Sequence, residues 1–326
     1  MIAFFANLFG YVLNFIYNVV KNYGVAIIIF SILVKVLMIP ISLKQQKTMK
    51  KSAKIQAKMK EIQFKYKNNP EQLNQATMEL YKSENMSPFS GCFSAIVQIV
   101  LLFAVFYLVR SPLTYMKKID ENVINKYSKI IHENDLSTNS AYPQIEILRE
   151  LDNVKELKNK KTPVEANEGN ESSEEQQQVD EKIKDLSEIN DEELNNLYIN
   201  MDFLGLDLAQ VPTKSSDWKA YIIPILYVIT AVISLRVANS TQLKDKKVSK
   251  EEQEENKDEK ALTKPEDDFD PMAQMNKNMN MMFPVMYLAV ALIAPLGLAL
   301  YWLMNSLLMI IEKLILNKLL KDEEEN

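Results

Sequence analysis

The sequence predicts an all-α membrane protein with five transmembrane helices, an N-terminal interfacial helix and a cytoplasmic helical hairpin. The first observation behind this prediction is segregation: hydrophobic residues form 47% and charged residues 25% of the chain, and long segments of each kind alternate. The second is length, because several apolar segments reach the roughly 20 residues that a helix needs to cross a hydrocarbon core. The third is a lysine near the centre of one such segment.

Residues 1–23 are predicted to form an amphipathic helix that lies in the membrane interface. Three asparagines interrupt the apolar sequence, and neither a basic start nor a small-residue cleavage site marks a signal peptide. The large apolar side chains recur at helical spacing, which is typical of helices that lie along a membrane surface. An uncleaved anchor span is the alternative. The apolar set is Phe4, Phe5, Leu8, Tyr11, Val12, Phe15 and Val19.

Residues 24–43 are predicted to form the first span although Lys35 lies near their centre. The segment contains thirteen Ile, Leu, Val and Phe residues. Each of these favours insertion by about 0.3 to 0.6 kcal/mol, whereas a central lysine opposes it by about 3 kcal/mol, so the segment inserts. Ionisable residues inside spans usually face the protein interior or a wet cavity. Lys35 is therefore expected to face the interior, and snorkelling toward the interface is the alternative.

Residues 44–87 are predicted to form the cytoplasmic basic hairpin. They carry ten lysines against four acids, and such lysine-rich loops stay on the cytoplasmic side. Asn69-Pro70 supplies a cap and a first-turn proline for the second helix. The lysine-rich exterior could contact a membrane surface, RNA or a partner protein. The alternative is a solvated face that acts only as a topology signal.

The rest of the chain follows the same alternation. Ala294-Pro295-Leu296-Gly297 is a tight turn between the last two spans. The predicted segments are the second span (88–110), an extracytoplasmic loop (111–218), the third span (219–238), a cytoplasmic linker (239–279), the fourth and fifth spans as a hairpin (280–316) and a cytoplasmic tail (317–326).

Loop charges predict the orientation. Residues 111–218 carry twelve basic residues against twenty-three acids, as expected outside the cell. The N-terminus is therefore expected outside and the C-terminus in the cytoplasm of a multi-pass plasma-membrane protein. Residues 155–195 are acidic and poor in large apolar residues, so they are expected to be unstructured. Residues 244–270, with alternating blocks of lysine and glutamate, are expected to be a flexible linker or a solvated helix.

Composition limits the chemistry. With one cysteine, Cys92, and one histidine, His132, the chain offers no intramolecular disulfide, no metal site built on these residues and no Ser-His-Asp triad in the membrane. No phosphate-binding loop of the Walker type is present. We therefore expect a protein that is not an enzyme and that uses no metal or other cofactor.

Lys35 is expected to lack a counter-ion, because Glu312 is assigned to the inner end of the fifth span. Water must then reach it, since an unpaired cation in apolar surroundings is costly. Polar residues of other spans are the expected companions, and together they predict a hydrophilic groove within the bilayer. Each could instead only join neighbouring helices. The predicted groove residues are Lys35, Gln98, Thr230, Ser234, Tyr301, Trp302 and Asn305.

Five colinear segments resemble the YidC-type membrane protein insertase family, over roughly residues 15–110 and 200–316. They are NYGVAIIIFSILVKVLMIPISLKQQ, KYKNNPEQLNQATMELYK, MSPFSGCFSAIVQIVLLFAVFYLV, MDFLGLDLAQ with YIIPILYVIT, and MMFPVMYLAVALIAPLGLALYWLMN. The family usually has arginine where this chain has Lys35, and often glutamine where it has Ser234. The outer loop is longer than is typical, and the tail is short and acidic.

The resemblance implies an insertase and chaperone that inserts newly made membrane proteins and helps them fold. It would act through a groove with one positive charge and without nucleotide hydrolysis. Expected partners are nascent membrane proteins and the lipid bilayer, with the ribosome and a Sec-type translocon as further candidates, and no DNA. A small anion-binding transporter or channel using the same lysine is the alternative, and an assembly chaperone with the same groove stays open. The expected client or ribosome contacts are Lys50, Lys51, Lys54, Lys58, Lys65 and Lys67.

Overall fold

The computed structural model describes residues 1–84, 90–134, 136, 141–160, 189–237 and 284–325, and inside some helices it describes the backbone alone. The chain divides into two compact units. The first comprises Met1–Ser31, Leu101–Tyr227 and Leu288–Leu303, and we call it the outer unit after the predicted extracytoplasmic loop. The second comprises Ile32–Val100, Val228–Tyr287 and Met304–Asn326, and we call it the inner unit after the predicted cytoplasmic hairpin.

Helices dominate the described residues. In chain order they are α1 (Ile2–Val20), α2 (Tyr23–Lys65), α3 (Pro70–Ser83), α4 (Ser90–Arg110), α5 (Pro112–Tyr115), α6 (Glu121–Glu133), α7 (Pro143–Lys160), α8 (Asp191–Leu197), α9 (222–237), α10 (Pro284–Ile293) and α11 (Leu296–Glu325). Strands β1 (Asp202–Phe203) and β2 (Leu206–Asp207) pair antiparallel, and short 3-10 turns cover Pro212–Lys214 and Trp218–Tyr221.

Four stretches are long and apolar enough to cross a membrane, by length and composition. They are Ile2–Val20, Tyr23–Thr48, Trp218–Val237 and Leu296–Leu316. Shorter apolar stretches cover Ile99–Arg110 and Pro284–Ile293. The first, third and fifth predicted spans thus coincide with full-length apolar stretches, and the other two contain shorter apolar stretches among the described residues. α1 meets the same criterion, so the anchor-span alternative stands beside the interfacial one.

α1 is held in the outer unit by close packing against α5. A Cβ atom at Gly10 would overlap the carbonyl oxygen of Tyr115, so only glycine permits this approach. Lys118 follows α5 and donates from Nζ to Asn7 Oδ1 at 2.6 Å. Its ammonium also lies 4.3 Å from the centroid of the Tyr11 ring. Desolvation in this position lowers the pKa of Lys118.

The helices α6, α7 and α8 form a core within the predicted outer loop, and this corrects the expectation of an unstructured segment at both ends of residues 155–195. Ile189 and Leu194 are buried, and α7 continues to Lys160. Lys126 Nζ lies 2.9 Å from Glu193 Oε2, which also accepts a hydrogen bond from the Tyr127 hydroxyl. Burial, together with the charge of Glu193, raises the pKa of Tyr127.

The expectation failed at these edges because averaging over a long polar window hides the few apolar residues that a short helix needs. Residues 161–188 lie outside the described residues. The expected linker of residues 244–270 lies outside them too.

The segment after α8 caps two of the long helices. The carbonyl of Asn200 accepts a hydrogen bond from the Tyr23 amide at 3.0 Å, at the start of α2. The carbonyls of Leu208 and Gln210 accept from Gly297 and Leu296 at 2.9 and 2.8 Å, at the start of α11. Helix amides at an N-terminus have no partner inside their own helix, so these bonds fix both starting points.

In the inner unit α2 continues without a break to Lys65, with Pro40 inside it. The helix therefore extends well past residue 43, where the first span was predicted to end. Asn69 then caps α3 by accepting a hydrogen bond from the Gln72 amide, as the sequence predicts. The end of α2 and the whole of α3 form a helix pair that we call the α2–α3 pair. Lys58 and Glu84 form an ion pair between its arms, with Nζ and Oε1 2.5 Å apart.

Replacing Gly10 with alanine is expected to lower the free energy of unfolding by roughly 1 to 3 kcal/mol, because the new methyl group strikes a backbone carbonyl that a rotamer change cannot move. Thermal unfolding of the purified protein in mild detergent measures the effect. Gly297→Ala is the matched control, since its Cβ would make ordinary contacts at 3.5 Å or more. Equal melting temperatures for Gly10→Ala and the unmodified chain would show that α1 does not pack in this way.

Replacing residues 161–188 with about ten Gly and Ser residues is expected to preserve the unfolding temperature, because a flexible linker of that kind can rejoin α7 to Ile189. Removing residues 155–195 is expected to lower it, because that deletion also removes Ile189 and Leu194 from the core. Limited proteolysis and thermal unfolding of the two variants, side by side, make the comparison. The expectation is wrong if the two deletions have the same effect.

Candidate functional site

Lys35 forms an ion pair inside the apolar helices of the inner unit. Its Nζ lies 2.6 Å from Glu312 Oε2, and the two side chains are 18% and 10% exposed. Glu312 lies within the apolar stretch Leu296–Leu316 of α11. The expectation that Lys35 has no counter-ion is therefore wrong. Glu312 was not among the predicted groove residues.

Lys35 and Glu312 lie on two long helices of the inner unit, α2 and α11. The long aliphatic stem of the lysine carries its ammonium to the Glu312 carboxylate. The sequence prediction placed Glu312 at the inner end of the fifth span and did not consider that Lys35 could reach it.

The pair keeps unused capacity for hydrogen bonding. Glu312 Oε1 is buried and has no hydrogen-bond partner among the described residues. A lysine ammonium has three N–H donors, of which Glu312 Oε2 takes one. Lys313, the next residue, is half-buried and close enough to interact electrostatically with both Glu312 and Lys35. A second cation thus lies near the carboxylate that pairs with Lys35.

The other predicted groove residues of the inner unit take several positions. Ser234 is buried, and its Oγ lies 3.1 Å from the sulfur of Met309 in α11. This contact joins α9 to α11, as expected of a serine that holds helices together. Thr230 and Asn305 are half-buried. The backbone of Gln98 lies in α4, but its side chain is outside what the structure describes.

Tyr301 and Trp302 lie on the part of α11 that belongs to the outer unit. Tyr301 is buried, and the Trp302 ring packs against Tyr227 with centroids 5.7 Å apart. Tyr227 was missed by the sequence prediction, although an aromatic residue with a hydroxyl in a span is a recognisable signal. Ser306, a buried hydroxyl in the inner unit, was missed as well.

The predicted lysines of residues 44–87 lie on the α2–α3 pair. Lys51, Lys58, Lys65 and Lys67 are exposed. The side chains of Lys50 and Lys54 are outside the described part of the chain. Ile55 and Leu80 are buried in the same pair, so its apolar side chains lie between the two helices. The four exposed lysines lie on the outer surface of the pair.

Replacing Lys35 with glutamine is expected to destabilise the protein by about 3 to 5 kcal/mol, because it leaves the Glu312 carboxylate buried without its counter-ion. The double variant Lys35→Gln/Glu312→Gln is expected to recover most of this loss, since no uncompensated charge then stays in the pair. Thermal unfolding in detergent, followed by tryptophan fluorescence, measures both. Lys51→Gln removes an exposed lysine from the same helix and serves as control. A double variant no more stable than the single one would contradict the ion pair.

The chain matches the 60Kd inner membrane protein family over residues 15–324. Among curated proteins, it is 41% identical over 102 residues to "Membrane protein insertase YidC" of Fusobacterium nucleatum subsp. nucleatum. It is 47% identical over 94 residues to the protein of the same name from Syntrophus aciditrophicus. A third relative of that name, from Caldanaerobacter subterraneus subsp. tengcongensis, is 37% identical over 102 residues.

These matches cover 31%, 29% and 31% of this chain, and 50%, 17% and 50% of the three relatives. The chain thus spans half or less of the length of the curated relatives it matches. The family match, by contrast, runs over nearly the whole chain. The resemblance to the YidC-type family is thereby confirmed, and the apolar helices fit a multi-pass membrane protein. The chain belongs to the 60Kd inner membrane protein family.

Proposed function

We propose that this chain is a membrane protein insertase that moves hydrophobic segments of newly made proteins from the cytoplasm into the bilayer. The observation that carries the proposal is the family match over residues 15–324, joined to relatives that are named insertases. The Lys35–Glu312 pair inside apolar helices supports it, because ionisable residues at such depth are rare and mark paths for polar groups. No nucleotide is needed in this mechanism.

The inner unit supplies the polar surface for a client's leading segment. Lys35, Ser234, Thr230 and Asn305 all belong to it, and Gln98 of α4 is a further expected member. A client segment with a short polar end gains hydrogen bonds here that lipid cannot offer. Transfer of the client's own apolar span into lipid then drives its release.

The α2–α3 pair is the proposed first contact for the client or the ribosome. Its exposed lysines, Lys51, Lys58, Lys65 and Lys67, face outward on the pair. We place the pair in the cytoplasm, with the N-terminus outside and the C-terminus inside, because the lysine-rich segment marks the cytoplasmic side. A membrane potential would then favour outward movement of an acidic end by about 2.3 kcal/mol per charge for each 100 mV.

A photo-crosslinking amino acid at position 98 or 302 is expected to capture a stalled nascent membrane protein, because both positions are expected client contacts. The experiment uses ribosome-bound chains of increasing length with membranes that contain the full-length variant. The matched control places the same probe at Tyr198, an exposed aromatic position of the outer unit.

Crosslinks that appear at 98 and 302 as the client's apolar span emerges, and not at 198, support the insertase. Their absence from both positions would instead favour an anion-binding transporter or channel. A depletion-rescue assay separates the two, because only an insertase restores insertion of single-span clients.

A further inference from the structure

Glu312 introduces a competing carboxylate at the site where a client's acidic group would bind. Its Oε2 already lies 2.6 Å from Lys35 Nζ. A carboxylate fixed on a neighbouring helix has a high effective concentration, so an incoming carboxylate must displace it. Client attraction by Lys35 is therefore weaker than that of an isolated buried cation.

We propose that Glu312 is the resting counter-ion of Lys35 and that a client carboxylate replaces it there during insertion. This inference rests on the insertase function proposed above. It makes Glu312 a residue that determines specificity, because it sets how strongly the site prefers an acidic leading segment over a neutral one. No bond is made or broken, and the step exchanges one ion pair for another.

The exchange needs a second cation, because a displaced and buried carboxylate without a partner is costly. Lys313 provides it, since it lies within electrostatic range of Glu312 and is half-buried beside it. Glu312 Oε1, which has no partner among the described residues, is the atom free to accept a new donor. The displaced carboxylate thus keeps a positive neighbour throughout.

The identity of the cation fits this role. A lysine ammonium is a compact charge with three separately directed donors, whereas an arginine guanidinium can bind one carboxylate with two parallel hydrogen bonds. A bidentate pair with Glu312 would be harder to exchange. Lysine at position 35 therefore suits a counter-ion that has to leave.

The test compares three single-span clients whose short leading segments differ only in carrying Asp, Asn or Lys. Each is translated in the presence of proteoliposomes that contain the purified full-length protein, and insertion is scored by protease protection. The measured quantity is the yield of the Asp client divided by that of the Asn client. Because both yields come from the same preparation, any loss of folded protein cancels.

Glu312→Gln is expected to raise the Asp/Asn ratio about tenfold, near the low end of couplings measured for close charge pairs. Glu312→Asp keeps the charge on a shorter side chain and is expected to give an intermediate ratio. Lys35→Gln is expected to bring the ratio close to one and to raise the relative yield of the Lys client. Glu192→Gln, which removes an exposed acid from α8 in the outer unit, is the control and should leave the ratio unchanged.

An unchanged ratio in Glu312→Gln, beside a lowered ratio in Lys35→Gln, would overturn the proposal and leave Glu312 a purely structural partner. A ratio that responds to neither substitution would overturn it as well, since Lys35 would then not bind the client's charge. Failure of the unmodified protein to insert any of the three clients is a different result, because it contradicts the insertase function itself.

Discussion

The constraint on which the inner unit depends is that a charge inside an apolar helix must have a partner. Lys35 is tolerated in α2 because its neighbours are strongly apolar and because Glu312 lies 2.6 Å from its ammonium. That ion pair joins α2 to α11 within the inner unit. In the outer unit, backbone carbonyls of the segment after α8 accept hydrogen bonds from the first turn of each of these two helices.

The same arrangement explains why the site combines polar groups with little solvent exposure. Ser234 contacts Met309, and Glu312 keeps one carboxylate oxygen without a partner among the described residues. Low local dielectric strengthens every charge interaction at such a place. The Lys35–Glu312 attraction is therefore stronger than it would be in water.

Much of this architecture could be predicted from the sequence, because hydropathy and loop charge are local properties. Lys35 was found because a charge within an apolar segment can be recognised without knowing which residues pack against it. The cap at Asn69 was found because its chemistry is local too. Glu312 was seen but misjudged, since a sequence does not give the relative depth of two helices. Leu194 and Ile189 were missed because their value for the core depends on α6 and α7, which lie far away along the chain.

The continuity of α2 has a mechanical consequence. One helix carries both Lys35 and the basic end of the α2–α3 pair, so a bend between the two decides whether they move together. Pro40 lies between them and has no N–H to donate to the carbonyl of Val36, so α2 bends most easily there. The lysine-rich end of α2 can therefore change direction at Pro40 while the segment around Lys35 keeps its place.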